Sequence, residues 1–560
     1  MATTPGRERV RKLQQLSPFE LKDELIKLAR DRSQHKAQTA KLLNAGRGNP
    51  NWIATTPRES FFLLGQFGLE ESQRVWSEPD LGGMPQPDGS AARLRAFLDR
   101  HSDHKGAALL ARSLQYGVSQ LGFHEDEFVH ELVDSIIGDN YPEPDRMLVH
   151  SEQIVHRYLQ REMCDDRPPP GRFDIFAVEG GTAAMCYIFN SLMENRLLHK
   201  GDTIALGTPI FTPYLEVPHL NNFELATVEI EQSEMAGGRH IWQYPDSELE
   251  KLADPKVKAF FLCNPSNPAS FAMRQSSIDR LVELVKTKRR DLIILTDDVY
   301  STFVPHFRSL AADLPHNTIL VYSYSKYFGC TGWRLGVIAL HEDNVLDEAI
   351  AALPARDKKE LAERYGTLTL QPEKLKLIDR MVADSRAVAL NHTAGLSLPQ
   401  QVQMALFSLF ALLDEGDRYK QLTRKIIHER FHKLERALGV KFPDDALRAA
   451  YYVDLDLGVW GEKTIGAEFV EYLHEHRDPL DIVLELARRH GTVLLNGSGF
   501  NGPPWSVRVS LANLDTDDYS AIGRNLKEIA ESAVHEWKRT KGNGNGNGHG
   551  NGHGKKPRRK

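Results

Sequence analysis

From residue 173 to residue 341, short apolar runs alternate with longer amphipathic stretches. The runs fall at 203–207, 259–263, 292–296, 318–322 and 335–340, with Phe173-Asp-Ile-Phe-Ala-Val178 ahead of them. A strand buried on both faces needs such a run, and a helical crossover needs an amphipathic stretch between two runs. The alternation predicts an α/β unit built on a mostly parallel sheet. Residues 105–163 carry helical periodicity, broken by Gly138-Asp-Asn-Tyr-Pro-Glu-Pro144. Near the start, Leu21, Leu25 and Leu28 share one helical face, and Ser17 with Glu20 forms a capping-box pattern before it. Residues 355–392 are charged and helical in period, and strand-like pieces follow at Ala450–Asp456, Gly491–Leu495 and Ser506–Ser510. The expected organisation is a helical arm (1–44), a small α+β domain (45–104 and 390–540), a large domain (105–354), a charged helical insertion (355–389) and a tail (541–560). Gly542 to Lys560 holds Gly/Asn/His repeats and a basic end but no large apolar side chain, so disorder is expected there.

Composition narrows function more than fold. At 560 residues the chain is too long for one ordinary core, and 41% hydrophobic with 26% charged residues reads as soluble and globular. A formal net charge of −6 gives no global bias toward nucleic acid, and the basic end reads as a solvated tail. Cys164, Cys186, Cys263 and Cys330 are far apart, with no C-x-x-C pair. That argues against a metal site or a disulfide framework and for free thiols in a reducing cytosol. No apolar run reaches membrane-spanning length, and Met1 to Arg9 has no hydrophobic signal segment, so a cytoplasmic protein without a membrane partner is expected.

The chemistry concentrates in Ser323-Tyr-Ser-Lys-Tyr-Phe-Gly-Cys-Thr-Gly-Trp-Arg-Leu-Gly336, directly after an expected strand. A lysine at the end of a buried strand can lose a proton and form an imine. Neighbouring hydroxyls and an arginine can hold a phosphate. Four further segments follow expected strands. Glu179-Gly-Gly-Thr-Ala-Ala184 opens a helix, where glycines and free N–H groups suit a phosphate, though alone it also fits an ordinary helix start. Phe211, in Pro209-Ile-Phe-Thr-Pro-Tyr214, can stack on a ring, and alone it also fits a core position. Asn267, in Cys263-Asn-Pro-Ser-Asn-Pro268, can donate to a phenolic oxygen. Asp297, in Thr296-Asp-Asp-Val-Tyr300, can pair with a ring nitrogen or serve as a turn residue. In a doubly wound sheet, ligands bind outside the C-terminal ends of the strands, where all these segments fall.

Together the motifs resemble the fold-type I aminotransferase superfamily, whose cofactor is pyridoxal 5'-phosphate, over roughly residues 40–535. The resemblance implies that Lys326 carries the cofactor and shuttles a proton, and that Asp297 pairs with the pyridinium. It implies Tyr300 and Asn267 at the ring oxygen, Phe211 on the ring face, and Gly181, Thr182, Ser323, Ser325 and Arg334 around the phosphate. Tyr141 resembles the tyrosine that reaches the phosphate of the neighbouring subunit, which implies a homo-oligomer, at least a dimer with shared active sites. Arg508, in Val-Arg-Val-Ser, resembles the arginine that forks onto a substrate α-carboxylate. Gly46-Arg-Gly-Asn-Pro50 resembles the G-x-G-x-P turn at the substrate pocket, placing Arg47 and Gly48 at the substrate. Two departures, Asn267-Pro-Ala-Ser270 and Asp297-Asp298, remove none of these groups.

Leu16 to Lys27 and Asn44 to Trp52 are further similar to the aspartate 4-decarboxylases, which convert L-aspartate to L-alanine and carbon dioxide, have side transaminase activity and form large homo-oligomers. The resemblance implies an amino-acid substrate and no nucleic-acid partner. A plain aminotransferase on a dicarboxylic or aromatic amino acid stays open. So does a pyridoxal-phosphate-sensing transcription regulator, although the residues before Gly46 are too few for a winged helix and show no helix-turn-helix pattern.

Overall fold

The computed structural model describes residues 10, 12–14, 16–35, 41–386 and 395–544. Its centre is a seven-stranded sheet. The strands are β1 (Phe173–Val178), β2 (Thr203–Thr208), β3 (Ala226–Glu231), β4 (Val257–Cys263), β5 (Ile293–Asp297), β6 (Thr318–Ser323) and β7 (Gly336–His341). The spatial order is β1-β7-β6-β5-β4-β2-β3, with only β7 antiparallel to its neighbours. Every residue of β1, β5, β6 and β7 is buried, which is why these strands read as near-continuous apolar runs. β1 and β3 are the two edge strands; β1 is buried, but β3 is half-exposed and charged, so its Ala-Thr-Val-Glu-Ile-Glu text lacks that signature.

The second sheet has three strands, β8 (Tyr452–Asp456), β9 (Leu495–Asn496) and β10 (Ser506–Ser510), in the order β8-β10-β9 and all antiparallel. Just before β9, Thr492–Val493 pairs in parallel with Leu43–Asn44, tying the N-terminal segment into this domain. Helix α1 (Pro18–His35) buries Leu21 and Leu25 as the apolar spacing predicts, with Ile26 and Ala29 beside them, while Leu28 is only partly buried against the same core. Among the described residues no helix is long and apolar enough to cross a membrane.

The expected domain limits need correction. Helices Thr55–Val75, Ser90–Arg100, Lys105–Leu121 and Glu125–Ile137 share one core with Leu398–Leu412, in which Phe67, Phe97, Leu110, Phe128 and Leu406 meet. A limit between 104 and 105 would cut through this bundle, because a helix with one apolar stripe must bury it against its neighbours. Leu398–Leu412 also packs on Val149–Cys164 beside the large sheet, so it does not belong with the small sheet.

Three further helices complete the picture: α2 (Gly181–Glu194), α3 (Ala355–Tyr365) and α4 (Leu377–Arg386). The insertion expected at 355–389 is docked rather than free. Asp384 of α4 is buried and accepts from Ser191 Oγ at 2.7 Å, Tyr365 OH at 3.0 Å and Arg364 Nη2 at 2.9 Å. At the other end, the last helix runs Asp518–Gly544, so it enters the expected tail. The remainder of that tail lies outside the described residues.

Candidate active site

The loops after β2, β4, β5 and β6 meet the small domain in one crevice. Ile210 N donates to Phe500 O at 2.9 Å and Thr212 Oγ1 to Gly499 O at 2.9 Å, so the turn before β10 closes on the loop after β2. Asp297 ends β5, 7% exposed, and accepts from Tyr214 OH at 3.3 Å. Burial pushes its carboxyl up to about 6, against the pull of the Val299 N–H, the Tyr214 hydroxyl and the Lys326 ammonium. Asp298 points elsewhere, as the next residue of an extended segment must. Its carboxylate accepts from Thr296 Oγ1, and burial raises it to about 8.

Lys326 follows β6 by three residues, half-buried, and makes no hydrogen bond or ion pair among the described residues. Gly48 lies against it. A methyl group there would come within 3.3 Å of Lys326 Nζ and collide with the Tyr452 hydroxyl, so only glycine fits. Tyr300 OH donates to Tyr452 OH at 3.1 Å, and burial raises the Tyr300 phenol far above its usual range.

One end of the crevice suits an anion. Gly180, at φ 85°, starts α2 and leaves its first N–H groups unsatisfied. A Cβ on Gly180 would sit 2.5 Å from Arg334 Nη2, which donates to Glu179 O at 3.2 Å. Gly181 faces Ser323, whose Oγ lies 3.0 Å from Ser325 Oγ. Thr182 is on the exposed side of the same turn.

The opposite end holds Arg508 on β10, 2% exposed. It donates from Nη1 to Asn267 Oδ1 at 3.1 Å and from Nη2 to Gly46 O at 2.9 Å. Its guanidinium lies 4.3 Å from the Tyr452 ring centre and 4.7 Å from that of Phe500. Its Nε has no partner, and it makes no ion pair among the described residues. Arg47, between Gly46 and Gly48, is exposed and makes no ion pair among the described residues either.

The family model described as "Aminotransferase class I and II" matches residues 178–522. The chain belongs to the class I and II aminotransferases. A Pseudomonas sp. protein named bifunctional aspartate aminotransferase and L-aspartate beta-decarboxylase is 50% identical over 530 residues, covering 94% of this chain and 98% of its own. Among solved structures, the aromatic aminotransferase of Pyrococcus horikoshii has a TM-score of 0.54 at 16% identity, covering 90% of this chain and 99% of its own. Thermus thermophilus aspartate aminotransferase with maleate has a TM-score of 0.51 at 15% identity, covering 90% and 96%. Both carry the same fold.

Aminotransferases of this class use pyridoxal phosphate, and the crevice fits it: a lysine without an ion-pair partner, a buried acid and an anion cradle lie along one line of loops. The structure brings together Lys326, Asp297, Tyr300, Asn267, Arg508, Gly48, Gly181, Ser323, Ser325 and Arg334. Phe211 lies at the same mouth, 5.9 Å from Phe19 of α1 in an edge-on pair. Tyr141 is not part of this cluster; it is 71% exposed on the chain's surface. Sequence reasoning missed Tyr214, Tyr452 and Phe19. Tyr214 stood at the end of a motif already singled out and Tyr452 in a strand already read, but only the assembled crevice gives them partners.

Proposed function

We propose that the protein removes the β-carboxylate of L-aspartate to give L-alanine and carbon dioxide, with aspartate aminotransferase activity as a second branch. The observation that carries this reading is the 50% identity across nearly both full lengths to the bifunctional Pseudomonas enzyme. Two guanidiniums at the crevice that make no ion pair among the described residues, Arg508 inside and Arg47 at the surface, support a dicarboxylic substrate.

Bound pyridoxal phosphate supplies an imine link to the amino group and a ring that accepts electrons. Asp297 holds the ring nitrogen protonated; with a cation beside it, a carboxyl that burial raises returns to its charged form. Tyr300 and Asn267 would hold the ring's phenolic oxygen, and Phe211 would pack on the ring. Gly181, Thr182, Ser323, Ser325 and Arg334 hold the phosphate, with a tyrosine equivalent to Tyr141 arriving from a second copy. Arg508 forks onto the α-carboxylate. Lys326 takes the α-proton and returns it, and Arg47 grips the β-carboxylate or orders α1 over the mouth. Two fates of aspartate would part after Lys326 has taken the α-proton: the β-carboxylate leaves as carbon dioxide and a proton takes its place, giving alanine, or water enters and the amino group stays with the cofactor until a keto acid accepts it, giving oxaloacetate.

The protein acts in the cytoplasm as a homo-oligomer, at least a dimer. Its cysteines are free thiols, and exposed Phe62, Leu69, Trp76 and Leu81 support a self-association surface. The test is to incubate the holoenzyme with L-aspartate and no keto acid. Catalytic release of carbon dioxide and alanine is expected. Turnover only when a keto acid is added, without carbon dioxide, would leave a plain aminotransferase.

A further inference from the structure

The charged segment 355–389 plays no part in the chemistry above, yet α4 reaches the loop that carries Tyr141. Arg386, at the end of α4, donates from Nη1 to Asp145 Oδ2 at 2.9 Å and from Nη2 to Asp145 O at 3.1 Å. The Arg386 side chain is only 2% exposed, so this fork is a buried anchor. One residue on, Arg146 donates to Asp379 Oδ1 of α4 at 3.4 Å and to Glu152 Oε1 at 2.9 Å. The segment after α4 frames the same loop at both ends. Leu148 N donates to Gln401 Oε1 at 2.9 Å, and Gly138 faces the Pro399 ring.

The other side of α4 is fastened to α2, whose N-terminus forms the anion cradle. Asp384 accepts from Ser191 Oγ at 2.7 Å and from Asn195 Nδ2, just past the end of α2, at 3.1 Å. Its side chain is 1% exposed. One short helix therefore bridges two elements of the same chain that the proposed function assigns to phosphate binding, α2 to this subunit's site and the loop 138–148 to that of a second copy.

We infer that α4 is a positioning device for Tyr141: the Arg386–Asp145 fork fixes the loop 138–148 so that its tyrosine meets the cofactor phosphate of a second copy. This rests on the reading that Tyr141 completes the neighbouring site. Asp145 and Arg386 are positioning residues. They act through Tyr141 and touch neither substrate nor cofactor.

The experiment measures cofactor retention, not turnover. Wild type, Tyr141→Phe, Asp145→Ala, Asp145→Glu and the Tyr141→Phe/Asp145→Ala double variant are prepared as holoenzymes. The dissociation constant for pyridoxal phosphate is read from the imine absorbance band on dilution, with Tm measured alongside. Tyr141→Phe and Asp145→Ala are each expected to weaken retention about tenfold, the scale of one charge-assisted hydrogen bond. The double variant should be no weaker than Tyr141→Phe alone, and Asp145→Glu should recover most of the loss. Wild-type retention in Asp145→Ala, or losses that multiply to about a hundredfold in the double variant, would overturn the inference and leave the Tyr141 reading standing. Wild-type retention in Tyr141→Phe would overturn that reading and the inference with it. If Asp145→Ala does not fold, Asp145→Asn keeps the side-chain volume and carries the same comparison.

Discussion

Among the described residues the Arg508 guanidinium, 2% exposed, makes no ion pair, although the buried Asp454 faces it across the β8–β10 ladder; burying such a charge without a close partner is costly. Arg508 tolerates this through two hydrogen bonds and two aromatic faces, and in the proposed function a substrate carboxylate supplies the missing charge. Lys326 likewise makes no ion pair among the described residues. Lys326→Ala should abolish the imine absorbance band and lower turnover by orders of magnitude while the protein still folds. Wild-type-like turnover in that variant would remove Lys326 from the chemistry. Arg47 is where the two branches are expected to separate. Arg47→Ala should lower the ratio of carbon dioxide to oxaloacetate formed from aspartate, because a grip on the β-carboxylate serves one branch only. An unchanged ratio would show that Arg47 has no selective role.

At the scale of elements, α1 belongs to the site. Phe19 stands edge-on to Phe211, and Pro18 packs so closely on Gly499 that a side chain there would collide with it. The arm thus contacts both the loop after β2 and the turn before β10, covering the crevice mouth from two sides. A cover that excludes water favours the branch that does not need it. Phe19→Ala should therefore raise the oxaloacetate share of product from aspartate, with little change in Tm because Phe19 is only half-buried. An unaltered product share would make α1 a strap for the small domain and nothing more.

For the whole molecule, three carboxyls are buried deeply enough to hold their protons more tightly than usual: Asp297 at the crevice, Asp298 beside it but turned away, and Asp454 on β8. Burial raises Asp297 to about 6, Asp454 to about 7 and Asp298 to about 8. Each binds its proton more tightly folded than unfolded, so each contributes stability below about pH 4 that is lost as pH rises through its folded pKa. The cofactor-free protein should lose stability progressively between about pH 4 and about pH 8. The Asp298→Asn variant should flatten the upper part of that decline, gaining on wild type between about pH 6 and about pH 8 in denaturant unfolding. A parallel shift of the two curves at every pH would mean that Asp298 does not titrate in that window.

Buried strands and the loops after them were legible along the chain. A strand covered on both faces must be apolar throughout, and the turn that follows must carry whatever chemistry the strand end presents. Lys326, Asp297, Asn267 and Gly181 were singled out in this way. Strand β3 was not, because its residues are largely exposed or half-exposed and so need not be apolar, whereas β1, at the other edge, is buried throughout and reads as an apolar run. Tertiary structure alone decided the rest. Tyr452 and Tyr214 became site residues only when β8 and the loop after β2 came to face Lys326 and Asp297. The helices from 55 to 137 joined one bundle because their stripes fit each other, which periodicity within each helix cannot state. Charge patterning marked 355–389 as helical and separate, but which buried partners its charges take, Asp384 with Ser191 and Arg386 with Asp145, depends on contacts between residues far apart in the chain. Local pattern determines which face of an element is apolar and which end carries a reactive group; the packing of faces determines which of those groups meet.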